Sequence, residues 1–255
     1  MRLDQWLYVN KMARSRTHAE DMISRGDVQI FIPASQEWRK ISKPSYKVDE
    51  NLLPERVRIE SELTKYVSRG GLKLEKALGH LAYSVQNLRV LDVGQSTGGF
   101  TDCLLQKGAS VVVGVEVGHG QLDPKLKADS RNLTFEGLDI REAEGCSDFM
   151  VLTPFPFVVI DASFISLRHI LPAVYSLLAE GGRVLALVKP QFELSAQDLD
   201  KKGIVRSSAK HQLVQSLITD YVRALPQLQI RDYFQSEEKG KDGNVEFFIF
   251  LEKTD

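Results

Sequence analysis

The sequence predicts a doubly wound α/β fold with a largely parallel sheet, preceded by a small basic α+β module. Short apolar runs, such as 90–93 and 157–160, alternate with segments of helical periodicity through residues 67–255, as in βαβ units. Several of these runs stop at a charged residue, and parallel strands present ligand sites at their carboxyl ends. The first 60 residues instead combine two short helical patterns with a strand at 28–32.

The composition favours a globular protein and argues against a membrane-spanning or secreted one. A chain of 255 residues, 43% hydrophobic and 26% charged, is typical of a soluble globular protein with one large domain or a domain and a smaller one. Its apolar stretches fall short of the roughly 18 residues of a membrane-spanning helix, and no signal-peptide core is visible. Two isolated cysteines and five scattered histidines indicate a reducing cytoplasm and no metal site.

Positive charge is concentrated near the start of the chain. Residues 1–76 carry 15 lysines and arginines against 11 acids, whereas the rest carries 18 against 23. A basic portion on an acidic body favours a polyanionic partner, although a solvated basic face is the structural alternative. Ser15 is placed to cap the second helix and Gly26 to end it. Cations near a helix start suit phosphates.

Three phrases, at 2–7, 13–19 and 23–28, resemble the RNA-binding domain first seen in ribosomal small-subunit protein S-four. The resemblance implies an RNA-binding domain over residues 1–60, followed by a linker at 61–66. The chain departs from that family at 31–38, where we expect a longer hairpin, and an edge strand is predicted at 57–59. We assign RNA contacts to Arg2, Lys11, Arg14, Ser15, Arg16 and Arg25, and to Arg69 of the next domain.

A glycine-rich turn follows the first strand of the body. Its spacing matches neither the dinucleotide fingerprint nor the phosphate-binding P-loop, and it resembles the cofactor turn of class I S-adenosylmethionine-dependent methyltransferases. The resemblance implies a Rossmann-like sheet that binds S-adenosyl-L-methionine. The cofactor residues assigned at this turn are Asp92, Gly94, Ser96, Thr97, Gly98, Gly99 and Phe100.

The later strands supply the rest of the predicted cofactor site. Glu116 ends the second strand, where an acid can accept both ribose hydroxyls, and Val117 follows it. Asp139 and Ile140 follow the third strand, and an acid there usually contacts the adenine amino group in methyltransferases. Asp161 ends the fourth strand. We further predict helices over 167–178, continued to glycines 181–182, and 213–225, with strands at 183–188, 228–234 and 246–251.

Two lysines have the properties of functional residues. Lys73 lies in the first turn of a predicted helix, where the helix dipole disfavours a cation. Lys189 ends a strand, as Asp161 does, and could serve as the base that a weakly acidic ribose 2′-hydroxyl requires. The structural alternative for Lys73 is a solvated surface lysine. For Asp161 and Lys189 it is an ion pair with no catalytic role. The fourth strand ends in Asp-Ala-Ser-Phe rather than the turn used for base-amine methylation.

Six phrases in the body resemble the FtsJ-type RNA ribose methyltransferases and, more closely, the TlyA family, whose members are often labelled haemolysins. They lie at 66–74, 96–102, 118–122, 161–167, 188–193 and 243–247. The resemblance implies a catalytic core of Lys73, Asp161 and Lys189, with Glu246 as its fourth member. It implies 2′-O-methylation of ribose, at cytidine, with ribosomal RNA or ribosomal subunits as partner.

Four departures from the TlyA pattern leave other functions open. Gln95 replaces a usual alanine, where it would crowd the cofactor, and Glu116 and His119 stand where the family has Asp and Tyr. The stretch 236–239 lacks the usual Ser-Pro. A ribosome-assembly factor that binds RNA without catalysis is therefore an alternative. A membrane-active haemolysin is another, although no inserting segment is visible in the sequence.

Overall fold

The computed structural model describes residues 1–60, 65–225, 227–240 and 243–254. The chain divides into two compact units, Met1–Lys65 and Tyr66–Asp255. The predicted linker at 61–66 lies mostly outside the described residues, and its assignment stays a prediction, as does the RNA-binding role of the first unit.

The first unit packs two helices against a three-stranded antiparallel sheet. The helices are α1 (Leu3–Val9) and α2 (Arg16–Arg25), and the strands are β1 (Val28–Ile32), β2 (Glu37–Ile41) and β3 (Val57–Ile59), in the order β2-β1-β3. The Ser15 hydroxyl accepts from the backbone N–H of His18, 3.1 Å away, and Gly26 ends α2 at φ +78°, so both predicted caps are present. A four-residue turn joins β1 to β2 in the predicted longer hairpin.

The second unit is a doubly wound seven-stranded sheet, and the predicted fold class is confirmed. Its order is β6-β5-β4-β7-β8-β10-β9, in which the first five strands are parallel and β10 is antiparallel to both neighbours. The strands are β4 (Arg89–Val93), β5 (Val111–Glu116), β6 (Asn132–Glu136), β7 (Phe155–Ile160), β8 (Leu178–Val188), β9 (Leu228–Gln235) and β10 (Phe247–Lys253). The helices are α3 (Arg69–His80), α4 (Gly99–Gln106), α5 (Pro124–Lys127), α6 (Ser147–Met150), α7 (Leu167–Leu177), α8 (Pro190–Glu193) and α9 (Ser208–Arg223).

One predicted boundary is wrong. The helix that we expected to continue to the glycine pair at 181–182 ends at Leu177, and β8 begins at the next residue. Leu178 pairs with Phe155 and Arg183 pairs with Phe157, so the four residues between Leu178 and Arg183 bulge out of the ladder. The glycines allow that bulge, since Gly181 has φ +66°. They therefore shape a strand rather than terminate a helix.

The sheet positions the site through the ends of its central strands. β4, β7 and β8 are buried along most of their length because helices cover both faces of a doubly wound sheet. Their carboxyl ends, with that of β5, meet at one edge, where the chain continues into Gly94, Val117, Asp161 and Lys189. The turns at this edge can therefore bring together residues that are far apart in sequence.

Candidate active site

One cavity at the carboxyl edge of the sheet contains all four predicted catalytic residues. Its volume is about 570 Å³, and its lining includes Lys73 from α3, Asp161 after β7, Lys189 after β8 and Glu246 before β10. Thr97, Gly99 and Phe100 of the glycine-rich turn complete one wall.

The first ion pair in this cavity joins Lys73 to Glu246. Lys73 Nζ lies 2.5 Å from Glu246 Oε2, although the residues are 173 positions apart. The side chains are only 10% and 3% exposed. Removal from water penalises each charge strongly unless an opposite charge is close, so each side chain requires the other. Lys73 is the fifth residue of α3, beyond the first turn in which we expected it, so the pair accounts for the burial of the lysine rather than for a place at the helix start.

The second ion pair joins Lys189 to Asp161. Lys189 Nζ lies 2.7 Å from Asp161 Oδ1 and donates to Ser163 Oγ at 2.9 Å. Asp161 also lines a second cavity beside the first. A carboxylate shared by two adjacent cavities can orient the lysine amine while facing a ligand on its other side. The sequence did not single out Ser163.

The second cavity, of about 380 Å³, has the composition of a nucleoside site. The two cavities are adjacent, because five residues line both of them: Gly94, Ser96, Asp161, Ser163 and Phe164. The wall combines apolar side chains, which suit the face of a base, with carboxylates, which suit hydroxyl and amino groups. Among these residues are the predicted Glu116, Val117, Asp139 and Ile140, and the apolar Val115, Leu138, Ile165 and Ile170.

Glu116 holds the glycine-rich turn from below. Its Oε2 accepts from the backbone N–H of Ser96 and its Oε1 from that of Gly118, each at 2.8 Å. Gly94 allows the turn to approach the neighbouring strand, because a Cβ there would lie 2.9 Å from the carbonyl oxygen of Asp161. One Glu116 carboxylate therefore joins the glycine-rich turn to the segment that follows β5.

Asp139 is oriented by Arg141. The Arg141 guanidinium donates to both carboxylate oxygens, and these hydrogen bonds hold the pKa of Asp139 below its ordinary value. Asp139 therefore stays ionised at neutral pH, as an acceptor for an amino group must.

Two predicted cofactor residues lie beneath the site rather than in it. Asp92 is fully buried and accepts from the Thr101 hydroxyl at 2.7 Å, away from both cavities. Burial raises its pKa to about 7, despite the hydrogen bond from Thr101. Gly98, at φ +91°, packs against Leu122 and Leu126 and lets α4 start close to them. Both residues support the turn.

Gln95, which we expected to crowd the cofactor, lines the catalytic cavity, but its amide group is held in a buried polar network. Its side chain points under the turn, where Nε2 donates to Thr101 Oγ1 at 2.8 Å and to Asn132 Oδ1 at 2.9 Å. Space for it comes from Gly114 of β5, since a Cβ there would lie 2.1 Å from the Gln95 amide carbon. The glutamine therefore ties the turn to β6 through a buried polar network.

The predicted RNA-binding residues fall in both units. In the first unit Arg2 Nε and an Arg16 guanidinium nitrogen lie 2.8 and 2.9 Å from the two oxygens of buried Asp4. Burial would raise the pKa of Asp4, but these hydrogen bonds leave it lowered. The remaining predicted contacts of this unit, Lys11, Arg14, Ser15 and Arg25, are exposed. Arg69 instead lines the catalytic cavity of the second unit.

A buried carboxylate missed by the sequence analysis joins the two loops of the second ion pair. Glu193 accepts from the Ser166 hydroxyl at 2.5 Å and from the backbone N–H of Leu167 at 2.8 Å. It thereby fixes the loop after β8, which carries Lys189, to the loop after β7, which carries Asp161. Glu193 lies within a phrase that resembles the TlyA family, but nothing in its local pattern distinguishes it from a surface acid.

The described part of the chain has neither a cluster of metal ligands nor a membrane-spanning helix. Within residues 1–60, 65–225, 227–240 and 243–254, no three His, Cys, Asp or Glu side chains are arranged to hold a metal ion. In the same ranges no helix is both long enough and apolar enough to cross a membrane.

The seven-stranded sheet has the Rossmann-like architecture of methyltransferases, a fold that it shares with a solved Listeria monocytogenes structure at a TM-score of 0.53. Residues 66–253 match the model of the FtsJ-like methyltransferase family, and the chain belongs to that family.

Known relatives cover almost the whole chain. The Bacillus subtilis protein YqxC is 41% identical over 98% of this chain and 85% of its own length. The Mycobacterium tuberculosis 16S/23S rRNA (cytidine-2′-O)-methyltransferase TlyA is 35% identical over 98% of this chain and 89% of its own. A solved Streptococcus thermophilus structure that bears a hemolysin name is 38% identical, covers 100% of this chain and 89% of its own, and has a TM-score of 0.72.

The packing of Gln95 over Gly114 predicts an energetic coupling. Gly114→Ala should lower the free energy of unfolding by about 1–3 kcal/mol, because its methyl group displaces a hydrogen-bonded amide. In a Gln95→Ala background the same methyl group fills vacant space. Urea unfolding of the four proteins should therefore give a coupling energy of at least about 1 kcal/mol, whereas additive effects would contradict the contact.

Asp92 predicts a pH dependence of stability. The pKa of Asp92 is raised from 3.8 to about 7 in the folded protein. Its contribution to the free energy of unfolding is therefore complete below about pH 4 and is lost as pH rises through 7. The free energy of unfolding of Asp92→Asn minus that of wild type should increase by about 1.4 kcal/mol per pH unit from pH 5 to 7 and then level off. Urea unfolding at each pH measures it, and a constant difference would contradict the assignment.

A matched control is Asp129→Asn. The hydrogen bonds from Arg131 hold the pKa of Asp129 below its ordinary value, so its contribution is lost only at acidic pH. Its effect on stability should not change between pH 5 and 8.

Proposed function

We propose that this chain transfers a methyl group from S-adenosylmethionine to the 2′-hydroxyl of a cytidine ribose in ribosomal RNA. The main support is the convergence of two lysine–carboxylate pairs on one cavity beside a nucleoside-shaped one. The rRNA and the cytidine are those named in the activity of the M. tuberculosis relative.

The second cavity fits the proposed cofactor. Glu116 would accept from the ribose hydroxyls, and Asp139 would accept from the adenine amino group over the apolar wall near Ile140. Glycine-rich backbone at Gly94 lets a ligand lie close to the strand ends. The cofactor would supply an electrophilic methyl group at the shared boundary of the two cavities, next to Asp161.

The residues of the first cavity would hold and deprotonate the ribose hydroxyl. In this proposal the hydroxyl proton passes to Lys189 Nζ while Lys189 passes a proton to Asp161, so Lys189 stays an ammonium, Asp161 becomes neutral, and the pair gains the one positive charge that the hydroxyl oxygen gives up. Lys73, held by Glu246, donates to the same oxygen and stabilises the negative charge that develops on it. Positioning of the oxygen in line with the methyl group supplies much of the rate.

An exposed aromatic side chain beside the catalytic pair suits a nucleic-acid substrate. Phe164 is 91% exposed, has φ +66° and lines both cavities. Its ring lies 5.2 Å from that of Phe192, which also lines the catalytic cavity. Exposed aromatic rings stack on unpaired bases, worth about 1–3 kcal/mol each. We assign Phe164 to the nucleobase whose ribose is methylated.

The structural motivation for the assembly-factor alternative is weak. It depends on Gln95 and Glu116 impairing the cofactor turn. The Gln95 amide, however, donates beneath the turn, and Glu116 accepts one backbone N–H bond from Ser96 of the turn and one from Gly118 after β5. Both departures from the family pattern therefore support the turn.

Loss of Lys189 tests the proposed chemistry. Lys189→Ala removes the proposed proton acceptor, and we expect the rate of methyl transfer from labelled S-adenosylmethionine to ribosomal RNA to fall by about 10²–10⁴-fold. Affinity for S-adenosylhomocysteine, measured by calorimetry, should change little. Lys107→Ala removes a lysine that is 33% exposed from an ion pair with Glu75 outside the catalytic cavity, and should retain activity. Equal transfer by both variants would contradict the proposal.

A further inference from the structure

The catalytic cavity contains a third lysine that the ion pairs do not use. Lys202, in the loop between β8 and α9, lines the same cavity as Lys73 and Lys189. Those two lysines are each neutralised by a carboxylate. Within the described part of the chain, Lys202 has no acidic side chain within 4 Å, and it is exposed to solvent. The cavity wall therefore carries a positive charge in excess of the two pairs.

The acids nearest to Lys202 in sequence are already engaged elsewhere. Asp200 accepts from the backbone N–H groups of Lys202 and Ile204 and pairs with Arg206 at 2.8 Å. Asp198 accepts from the Ser195 hydroxyl at 2.7 Å and lies 3.5 Å from the amine of Lys210. The carboxylates of this loop therefore bind its own backbone, a serine hydroxyl and other cations, and the Lys202 amine is available to a ligand.

The loop that carries Lys202 is anchored to the catalytic machinery. Asn244 is buried, its Oδ1 accepts from the N–H of Val205 at 2.9 Å, and its Nδ2 donates to the carbonyl of Gly203 at 3.2 Å. Two residues later the chain reaches Glu246, the partner of Lys73. Asn244 therefore fixes the position of the loop relative to the first ion pair. Lys202 is thus held at a defined place beside the catalytic residues, unlike a lysine on a freely moving surface loop.

The chemistry of the cavity identifies the ligand that this lysine would take. A 2′-hydroxyl group lies on the carbon next to the one that bears the 3′ phosphodiester, so RNA that places its ribose between Lys73 and Lys189 brings a phosphate to the wall. A lysine ammonium binds a phosphate as a point charge and needs no fixed hydrogen-bond geometry.

We propose that Lys202 binds the RNA phosphodiester next to the methylated ribose, presented by a loop that Asp200 and Asn244 hold in place. This inference rests on the proposed function and adds a substrate-binding residue to it. It assigns Lys202 to the RNA and gives it no part in cofactor binding.

The neighbouring lysine provides a matched control. Lys201 has the same charge, is also exposed and precedes Lys202 in the chain, but it does not line the cavity. At about 0.15 M salt, Lys202→Ala should raise KM for ribosomal RNA about five- to tenfold and lower the slope of log KM against log salt by roughly one phosphate contact, about 0.7–0.9. Lys201→Ala should change KM less than twofold.

Two further measurements make the test decisive. Lys202→Arg keeps the charge and should restore most of the affinity, which distinguishes loss of a contact from loss of folding. Calorimetric affinity for S-adenosylhomocysteine should be the same in all variants. Equal KM and salt slopes for the two alanine variants, or no rescue by arginine, would overturn the inference. Failure of the proposed function would appear differently, as an absence of methyl transfer in the wild-type protein.

Discussion

The second unit depends on the requirement that buried charges be paired. Lys73 and Lys189 are both about nine-tenths buried, a state that is unfavourable for an ammonium group without a carboxylate close by. Glu246 and Asp161 meet that requirement at 2.5 and 2.7 Å. Each pair joins segments that are distant in sequence, so neither lysine is acceptable unless the sheet has assembled. The pairs thereby make folding and construction of the cavity a single event.

Support for these pairs comes from buried polar contacts between loops. Glu193 holds the loops of Lys189 and Asp161 together, and Asn244 holds the loop next to Glu246. Beneath the glycine-rich turn, Gln95 and Thr101 connect Asp92 to Asn132 of β6. These side chains touch no ligand in our proposal, yet they determine where the residues that do so are located.

The sequence predicts the fold and much of the site because both follow from local patterns. Apolar runs that stop at Asp161 and Lys189 show where strands end, and parallel topology then brings those ends to one edge. The pairing of Lys73 with Glu246 was predictable only through resemblance, since no local rule links positions 173 apart. The direction of the Gln95 side chain was not predictable, because it depends on space left by Gly114 across the sheet.

The helix boundary at Leu177 and the role of Glu193 could not be predicted from local sequence patterns. A glycine pair usually signals a helix end, but here the strand register required a bulge at that position. A glutamate five residues after a strand usually faces solvent, but here Glu193 is buried and bonds to the loop after β7. In both cases tertiary contacts between distant segments overrode a local preference, and a single sequence contains no record of those contacts.

The chemical position of the transferred methyl group tests the central claim most directly. Ribosomal RNA methylated by the wild-type protein can be digested to nucleosides and analysed by mass spectrometry. Two lysine–carboxylate pairs around one hydroxyl predict that the new methyl group is on the ribose, as 2′-O-methylcytidine. A methyl group on a base instead would contradict the account, because that cavity would then be serving a different nucleophile.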